Sequence, residues 1–532
     1  MDCSAQRLLY RQTGAFSRMM TDYLDDAPAL RPFYRQRPTL SGVRELIRQR
    51  QLIPTNRKAL VEHLQEQYQS VPPSATVNRH IGLLLDEDTF TVTTAHQPNL
   101  LTGPLYFIYK ILHVIRLADT LQREMPQYRF VPVYYMGNED ADFDELSHFS
   151  VAGTRYQWQT RQSGAFGRMQ LDKDINRMLD AVAGTLGVEP YGAELLDALR
   201  ACYKVGTTVQ QATFAFVHHL FARYGLVVLI PDTPLLKQQF IPVLQEELLE
   251  QSSHRIVEQT AAELDNLYKV QAGSRPINLF YFDEDLRERI EWTGNRYQVL
   301  HTTLSFTKEE MLQEVAAHPE RFSPNVILRG LYQEMLLPNL IFTGGGGELA
   351  YWMELQGLFL HYGIPFPLLV LRNSFLLLPE KEQQRLEEWE LEAADLFRPA
   401  AGLLQELVLR RSQVPLRLDD QLGQLDELYA SLQQQASAVD STLSQHVAAL
   451  HRQARRRVEE LEKKMIRAEK RRHDDLRRQL ERMKERYFPG NGLQERSESM
   501  LAYYARWGNA FLDRIYEHSL SFEQEFTVLT CR

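Results

Sequence analysis

Cysteine is scarce in this sequence, and its cysteines are not spaced like a metal site. The 532 residues include 3 cysteines, which are Cys3, Cys202 and Cys531. Because no CxxC pair is present, a zinc site of that type is excluded, and we expect no structural zinc. Cysteines that are so few and so widely spaced are typical of a reducing compartment, and we expect no chemistry on the protein's own thiols.

Long apolar runs are also missing. No stretch approaches the roughly 18 consecutive apolar residues that a membrane helix needs, and the first residues lack the apolar segment of a secretory signal. We therefore expect a cytoplasmic protein without a membrane partner. The formal net charge is −9, so the chain as a whole has no excess of positive charge, and we expect no nucleic-acid partner.

Glycine nearly disappears after about residue 385, which separates a helical arm, residues 385–487, from the rest of the chain. Residues 452–488 predict one long helix without a breaker before Pro489, against which two shorter helices, near 385–413 and 417–443, fold back. Apolar residues recur at intervals of three and four at Val447, Leu450, Ala454, Val458, Leu461, Met465 and Ala468, then at Leu476, Leu480, Met483 and Tyr487. This seam indicates a coiled coil that joins a homodimer, and the many basic residues beside it indicate a solvated face rather than an RNA-binding one.

Upstream of the arm, short apolar strands alternate with helices, which predicts an α/β core with a mainly parallel sheet over residues 81–384. The predicted strands are TFTVTTA (89–95), RFVPVYYMG (129–137), GLVVLIP (225–231) and PFPLLVLR (365–372), with helices at about 103–123, 232–251 and 347–362. The gap between the second and third strands is too long for one crossover helix, so an insertion is expected there. The remaining predicted segments are a helical lead-in at 1–80, insertions at about 147–220 and 252–325, and a C-terminal segment, 488–532, that returns to the core.

Polar residues follow the first strand, where the sequence reads HQPN from His96 to Asn99. Ligands of doubly wound sheets bind beyond the carboxyl ends of the strands, next to the backbone N–H groups that begin the following helix. Pro98 stiffens the exit from the strand, and Gly103 loosens the entry to the helix. The corner is therefore a candidate ligand site, and the alternative is that its polar residues only cap the helix.

The second strand ends in an acidic corner that follows Asn138. Five carboxylates lie within seven residues, at Glu139, Asp140, Asp142, Asp144 and Glu145. Acidic groups at a helix start gain from the helix dipole, but five of them repel one another, so the dipole alone does not account for so many. The corner is a candidate site for Mg²⁺, a cationic amine or a ribose hydroxyl. The alternative is a set of solvated charges at a helix start.

A third corner consists of four consecutive glycines, Gly344, Gly345, Gly346 and Gly347, directly before a predicted helix. Glycines let several backbone N–H groups converge on an anion, so the turn is a candidate site for phosphate or carboxylate. The pattern is neither GxxxxGK[ST] nor GxGxxG, which argues against a P-loop hydrolase and a typical dinucleotide site. Glu348 at the helix start is a candidate ligand for a hydroxyl or an amine, and Tyr351 belongs either to the site or to the core.

The segments HQPNLLTGPLYFIYKILHVIRLA, NEDADFDELSH, SGAFGRM, SPNVILRGLYQEMLLPNLIFTGGGGELAYW and FPGNGLQERSESMLAYYARWGNAF resemble the bacillithiol biosynthesis cysteine-adding enzymes, the BshC family, over nearly the whole chain. The resemblance implies a Rossmann-like core laid out as in class I aminoacyl-tRNA synthetases, with connecting-peptide insertions, and a coiled-coil domain that mediates dimerisation. It also implies a ligase that adds L-cysteine to the amino group of glucosaminyl malate in the last step of bacillithiol synthesis. Such an amide-forming, carbon–nitrogen ligase is expected to use ATP to activate the cysteinyl carboxylate as an adenylate or a phosphate.

Three positions depart from the family pattern. The chain has Ala95–Asn99 where the family usually has GQQPG, Ala141 where it has a histidine between acidic residues, and Gly330 where a proline is common. The missing histidine argues against an imidazole base at position 141, and His96 is a candidate to occupy nearby space.

The resemblance and the three corners together give a set of candidate site residues. The catalytic candidates are His96, Gln97, Tyr106, Asp140 and Asp142. The candidates for binding substrate, ATP or ADP, or Mg²⁺ are Asn99, Asn138, Glu139, Gly344, Gly345, Gly346, Gly347, Glu348, Tyr351, Gln494, Glu495 and Arg496. Arg496 is a candidate to pair with a phosphate or a malate carboxylate, or else forms a structural ion pair.

Two other functions remain open from the sequence alone. One is a non-catalytic, dimeric scaffold that senses a nucleotide, and the other is a nucleotidyltransferase that acts on another small amine. The acceptor, the source of the cysteine and the choice between adenylation and phosphorylation are also open at this stage.

Overall fold

The computed structural model describes residues 1–283 and 285–532, so Glu284, within the second predicted insertion, lies outside the described residues. The chain forms two compact units. The first contains Met1–Leu378 together with Leu493–Arg532, and the second contains Pro379–Gly492. Within the described residues, no helix combines the length and the apolar character that crossing a membrane requires.

A five-stranded sheet lies at the centre of the first unit. Across the sheet, the strands are Leu368–Leu371, Asn339–Gly344, Thr89–His96, Arg129–Met136 and Val227–Leu229. Every neighbouring pair is parallel. The strands are almost entirely buried, as is typical of a parallel sheet covered on both faces. The four predicted strands are present, and Asn339–Gly344 is a strand that the sequence interpretation did not assign, because its apolar run leads directly into the glycine turn.

The order of these strands places a crevice next to the first polar corner. The chain begins the sheet with Thr89–His96, adds two strands on one side, and then adds Asn339–Gly344 and Leu368–Leu371 on the other side. The strand order therefore reverses between Thr89–His96 and Asn339–Gly344. At such a reversal the following helices, here Tyr106–Glu124 and Gly346–Glu354, lie on opposite faces, and a ligand crevice opens between them.

Two segments interrupt the core. The first, between Arg129–Met136 and Val227–Leu229, contains strands His148–Val151 and Thr154–Gln157 and helices Phe143–Leu146, Lys173–Leu186, Gly192–Cys202 and Val209–Phe221. The second follows helices Pro234–Lys237 and Ile241–Glu250. Its helices are Ser252–Asp265 and Lys308–Ala317, and its antiparallel strands are Leu279–Asp283, Leu286–Trp292, Tyr297–Val299, Ser305–Phe306 and Phe322–Pro324. Helix Val326–Leu336 then returns the chain to the central sheet.

The two ends of the chain meet in a small sheet. The lead-in contains the expected helices, Tyr10–Thr13, Arg18–Leu24, Leu40–Gln51, Arg57–Gln67 and Ala75–Leu83, but it begins with strand Cys3–Leu9. This strand pairs antiparallel with Glu525–Cys531, after helices Leu501–Trp507 and Asn509–His518. Cys3 lies opposite Cys531, and the two form a disulfide. The wide spacing of the cysteines in sequence did not predict this disulfide, because the pairing arises between strands at opposite ends of the chain.

The second unit is helical. Its helices are Glu380–Glu388, Ala400–Arg411, Asp419–Val439, Leu443–Arg472 and Asp474–Tyr487. The predicted single long helix is wrong, because the helix ends at Arg472 and a new one begins after His473. Asp419–Val439 and Leu443–Arg472 pack together as a hairpin, in which Asp426 bonds to His451 over 2.6 Å.

The apolar seam of the second unit is only partly buried. Leu476, Leu480, Met483 and Tyr487 are buried within the unit. Leu450 and Leu461, which belong to the same predicted seam, are 42% and 52% exposed. One part of the seam therefore packs inside the unit, and the other part lies on its surface.

Candidate functional site

A cavity of about 610 Å³ lies within the first unit at the carboxyl edge of the central sheet. It collects residues from the ends of several strands and from the second insertion. The predicted site residues that line it are His96, Gln97, Tyr106, Asn138, Glu139, Asp140, Gly345, Gly347, Glu348, Tyr351 and Arg496. The predicted residues outside its lining are Asn99, Asp142, Gly344, Gly346, Gln494 and Glu495. The three polar corners, which are far apart in sequence, therefore share one cavity.

His96 ends the first strand and is buried against aromatic rings. Its ring lies 5.3 Å from that of Tyr106 and 5.2 Å from that of Phe107, measured between centroids. Burial lowers its pKa well below 6.5, and the positive charges of Lys110 and Arg372 lower it further. The Nε2 atom is buried and has no hydrogen-bond partner among the described residues. His96 is thus a neutral imidazole with an unsatisfied ring nitrogen at the cavity.

Lys110 connects the first corner to the glycine turn. It is one turn after Tyr106 on helix Tyr106–Glu124, it is buried, and its Nζ donates to the backbone oxygen of Ala95 over 2.9 Å. It also forms an ion pair with Glu348. Burial lowers the pKa of Lys110, and the Glu348 carboxylate opposes this shift. The pair fixes one side of the crevice between the two central strands.

The glycine turn is not the anion nest that its composition predicts. None of its four glycines has a positive φ, so the alternation of backbone hands that makes a nest is absent here. The N–H of Gly345 already donates to Glu348 over 2.8 Å. Gly347, in contrast, lines the cavity, and a Cβ added there would meet no atom within 4 Å. The turn therefore offers the open start of a helix at Gly347, and not a closed ring of N–H groups.

The acidic corner divides into residues with internal partners and residues at the cavity. Glu139 pairs with the buried Lys237 over 2.5 Å and accepts a bond of 3.0 Å from Ser323. Asn138 donates to Gln210 over 2.6 Å. Asp140 instead accepts a bond of 3.1 Å from Gln97, which links the first corner to the second. Asp140 is thus the carboxylate of this corner that is joined directly to another predicted catalytic residue.

Glu145 also lines the cavity, and the other carboxylates of the acidic corner influence its pKa. Its pKa is raised by burial and then by the neighbouring charges of Asp142 and Asp140. Asp142 is exposed and accepts a bond of 3.2 Å from the backbone N–H of Glu145, which caps helix Phe143–Leu146. The structure therefore places Asp142 at a helix cap and outside the cavity, as in the alternative interpretation of this corner.

The motif SGAFGRM has a structural reason. The N–H of Gly167 donates to the backbone oxygen of Asn138 over 3.1 Å, and the N–H of Phe166 donates to that of Asp140 over 2.7 Å. A Cβ at Gly167 would lie 2.5 Å from the Asn138 oxygen. Only glycine allows this close approach, which holds the acidic corner against the first insertion.

Asn99 is also outside the cavity lining. Asn99 is buried in the corner that follows the first strand, and a Cβ at Gly103 would lie 2.7 Å from the Asn99 Cβ. Gly103 has a φ of +59°, so glycine is required there both by its backbone and by the close packing. Asn99 is therefore placed as a packing residue of the corner.

Gln494 and Glu495 attach the C-terminal segment to Arg372, just after the central sheet, and to strand Phe375–Pro379 of the small sheet. Glu495 accepts bonds from Arg372 over 2.7 Å and from the N–H of Phe375 over 3.1 Å. Gln494 accepts from the N–H of Leu377 over 2.9 Å. Both side chains are buried, and their partners lie outside the cavity except for Arg372. They therefore position Arg372 and the neighbouring Arg496, which does line the cavity.

Sequence interpretation missed most of the positive charge in the cavity. The lining includes Lys110, Arg275, Arg287, Arg289, Arg329 and Arg372, none of which was a candidate. Lys110 and Arg372 carry a signal in hindsight, because Lys110 interrupts the apolar start of its helix and Arg372 directly follows an apolar strand. The arginines of the second insertion carry none, because nothing local shows that this segment folds over the sheet edge.

The composition of the lining fits an anionic ligand better than a metal. Among residues 1–283 and 285–532, no group of three or more His, Cys, Asp or Glu side chains is arranged to hold a metal ion. The surplus of guanidinium groups and the open helix start at Gly347 suit phosphate or carboxylate oxygens, and the unpartnered Nε2 of His96 lies in the same cavity. The cavity can thus hold an anionic substrate beside a neutral base.

Known proteins agree with this architecture. Residues 2–373 match "Bacillithiol biosynthesis BshC, N-terminal Rossmann-like domain", and residues 375–531 match "Bacillithiol biosynthesis BshC, C-terminal coiled-coil domain". The predicted fold class, a Rossmann-like parallel-sheet core with a helical coiled-coil domain, is confirmed.

Relatives match over nearly the full chain. The "Putative cysteine ligase BshC" proteins of Flavobacterium psychrophilum and Flavobacterium johnsoniae are 36% and 37% identical over 98% of both chains. The protein of the same name from Salinibacter ruber is 31% identical over 95% of both chains. A solved structure described as a "putative arginyl t-RNA synthetase" from Campylobacter jejuni is 9% identical over 88% of this chain and 98% of that one, with a TM-score of 0.21, which is too low to bear on the fold. From the two domain matches and the full-length relatives, the chain belongs to the BshC family of bacillithiol biosynthesis proteins.

Proposed function

We propose that the protein is an ATP-dependent cysteine ligase that joins the carboxyl group of L-cysteine to the amino group of glucosaminyl malate, completing bacillithiol. The family and the names of its relatives support a cysteine ligase. The observation that carries the proposal is the neutral, unpartnered Nε2 of His96 in a cavity lined by guanidinium groups. The proposed substrate, L-cysteine, keeps its thiol free in a reducing compartment, so we place the reaction in the cytoplasm.

The chemistry of amide formation assigns a role to His96. The amine attacks the activated carboxyl carbon through its lone pair, so its ammonium form must first lose a proton to solvent. As the C–N bond forms, the C–O bond to the departing AMP or phosphate breaks and the attacking nitrogen loses a second proton. A neutral imidazole at the cavity can accept such a proton at Nε2, and proton transfer of this kind contributes about 10² to 10⁴ in rate. Asp140, oriented by Gln97, is placed to hold the ammonium group before that transfer.

ATP, when bound, supplies the activation that makes the cysteinyl carboxyl reactive toward an amine. The residues that would hold its phosphates are Arg329 and Arg496, with the helix start at Gly347. Arg329 is itself held by the hydroxyl of Tyr351, which accepts a bond of 2.5 Å from it. Tyr106, whose pKa burial raises to about 12, stays protonated and is a hydrogen-bond donor beside His96.

We also propose that two copies associate through the helical unit. Leu428, Leu432, Leu450 and Leu461 are between 41% and 54% exposed on the helix pair. Leu450 and Leu461 are eleven residues apart, which is close to three full turns, so they lie on one face of their helix. A second copy would cover this face, as expected for a coiled coil.

Incubation of the purified chain with L-cysteine, glucosaminyl malate and ATP tests the proposed reaction. Mass spectrometry should detect bacillithiol, and the nucleotide product, AMP or ADP, should distinguish adenylation from phosphorylation. His96→Gln should reduce the rate about 100-fold or more while nucleotide binding persists. Nucleotide binding without any product would contradict the ligase and favour the scaffold, whereas pyrophosphate release without amide would favour the nucleotidyltransferase.

A further inference from the structure

A hairpin of the second insertion presents arginine and phenylalanine side chains on one face. Strand Leu279–Asp283 pairs antiparallel with Leu286–Trp292, with Phe280 opposite Arg289 and Phe282 opposite Arg287. Residues that lie opposite one another, and those two apart along a strand, project from the same side of a sheet. All four side chains therefore share one face, and Phe280, Arg287 and Arg289 line the cavity.

Arg287 stacks on an aromatic ring, and its Nε finds no acceptor in the part of the chain that the structure describes. Its guanidinium carbon lies 3.8 Å from the centroid of the Phe280 ring, which is close stacking. Its Nε is buried without a hydrogen-bond partner among the described residues. Burial lowers the pKa of Arg287, and the charges of Asp140 and Glu139 oppose that shift from a distance. A buried guanidinium N–H without an acceptor costs free energy, and a ligand oxygen would offset that cost.

Arg168, from the first insertion, stacks against the same hairpin and has a complete set of acceptors for comparison. Arg168 lies 3.8 Å from the centroid of the Phe282 ring. Its Nε and Nη2 donate to the two carboxylate oxygens of Asp232 over 2.8 and 2.7 Å. Arg287 has the same kind of stacking, but no described carboxylate stands where Asp232 stands for Arg168. A carboxylate or phosphate from outside the chain would offer Arg287 the paired oxygens that Asp232 offers Arg168.

Two further arginines belong to the same side of the cavity. Arg289 follows Arg287 by two residues, and Arg275 precedes the hairpin. The backbone of Arg275 is fixed by Asn278, which accepts from its N–H over 3.1 Å and donates to its oxygen over 2.7 Å. Asn278 is anchored in turn by Glu247, which accepts from its N–H over 2.7 Å. These hydrogen bonds fix the backbone that carries the Arg275 side chain.

We propose that Arg275, Arg287 and Arg289 form an oxyanion subsite of the second insertion, in the cavity that His96 and Asp140 also line. Its ligand is a group with paired oxygens, because a guanidinium held in one plane binds a carboxylate or phosphate through two parallel bonds. The anion belongs either to a dicarboxylate acceptor or to a nucleotide. This assignment of the anion to a substrate rests on the proposed function, but the subsite itself does not.

Calorimetric titration of the full chain with L-malate and, separately, with inorganic pyrophosphate tests the subsite. Arg287→Gln and Arg289→Gln should each lower the affinity for the anion that occupies the subsite about tenfold or more. Arg287→Lys keeps the charge without the planar fork and should recover only part of the affinity. Arg255→Gln, at an exposed arginine of the same insertion, should bind as the wild type does. Melting curves verify that each variant is folded.

Each outcome has a defined meaning. Loss of malate binding alone assigns the subsite to the acceptor's carboxylates, and loss of pyrophosphate binding alone assigns it to the nucleotide. Unchanged binding of both anions by Arg287→Gln, or no binding of either by the wild type, overturns the subsite. Arginine-dependent anion binding in a protein that makes no amide refutes the proposed function and leaves the subsite standing.

Discussion

At the scale of single residues, the acidic corner separates two carboxylates that the sequence treats alike. Asp140 lines the cavity and is bonded to Gln97, whereas Asp142 is exposed at a helix cap. We predict that Asp140→Asn lowers the rate of amide formation about tenfold or more, because it removes the charge that holds an ammonium group. Asp142→Asn should leave both the rate and the melting temperature nearly unchanged, because asparagine caps a helix as well as aspartate does. Equal losses of activity in the two variants would contradict this assignment.

The buried His113 should make folding depend on pH. Its Nδ1 accepts from the N–H of Asn373 over 3.1 Å, its Nε2 bonds to the backbone oxygen of Ser521 over 3.0 Å, and burial lowers its pKa to about 4. An unfolded histidine has a pKa of about 6.5. Since the unfolded chain binds the proton more readily, stability is complete above pH 6.5 and falls as the pH drops toward 4, by about 3 kcal/mol for this residue.

Urea unfolding at a series of pH values tests this expectation. His113→Gln should lose that part of the slope between pH 6.5 and 4, whatever its stability at neutral pH. A variant with the slope of the wild type would show that His113 does not contribute to the acid sensitivity.

At the scale of elements, the glycine turn works through one position. Gly344 is tightly enclosed, since a Cβ there would lie 2.8 Å from the Phe342 ring, but Gly347 faces open space at the cavity. We predict that Gly347→Val weakens ATP binding about tenfold or more, because the side chain blocks the approach of an anion to the start of helix Gly346–Glu354.

Gly184→Val is the matched control, since Gly184 is also an exposed and unobstructed helical glycine but does not line the cavity. Calorimetry with ATP and a melting curve compare the two variants. Wild-type affinity in Gly347→Val would show that the helix start does not contact the nucleotide.

At the scale of the whole molecule, the exposed face of the helical unit predicts the oligomeric state. The double variant Leu450→Glu with Leu461→Glu should convert a dimer into a monomer, because it places four charges, two from each copy, in one apolar interface. The folded unit should tolerate the change, since both side chains are about half exposed.

Sedimentation velocity measures this outcome. Val188→Glu, at an 82% exposed apolar residue of the first unit, should leave the sedimentation of the wild type unchanged. A double variant that still sediments as a dimer would place the interface elsewhere.

Local sequence patterns were enough to identify four of the five central strands and the polar corners that follow the strands. Runs such as that of Thr89–His96 are so apolar and β-branched that a buried parallel strand is their stable state, and parallel strands bring their carboxyl ends to one edge. His96, Asp140 and Gly347 were therefore identifiable before any contact was known. These inferences depend on patterns among residues that are neighbours in sequence, so they need no knowledge of the folded structure.

Which corner residues line the cavity, and which side chains surround them, depends on how the whole chain packs. The distinction between Asp140 and Asp142 depends on the direction in which a short turn points each side chain, and the pairing of Cys3 with Cys531 depends on strands from opposite ends of the chain. Arg287 joins the site because an insertion folds over the sheet edge. Burial, charge environment and long-range pairing are properties of the packed chain, so no pattern of neighbouring residues contains them.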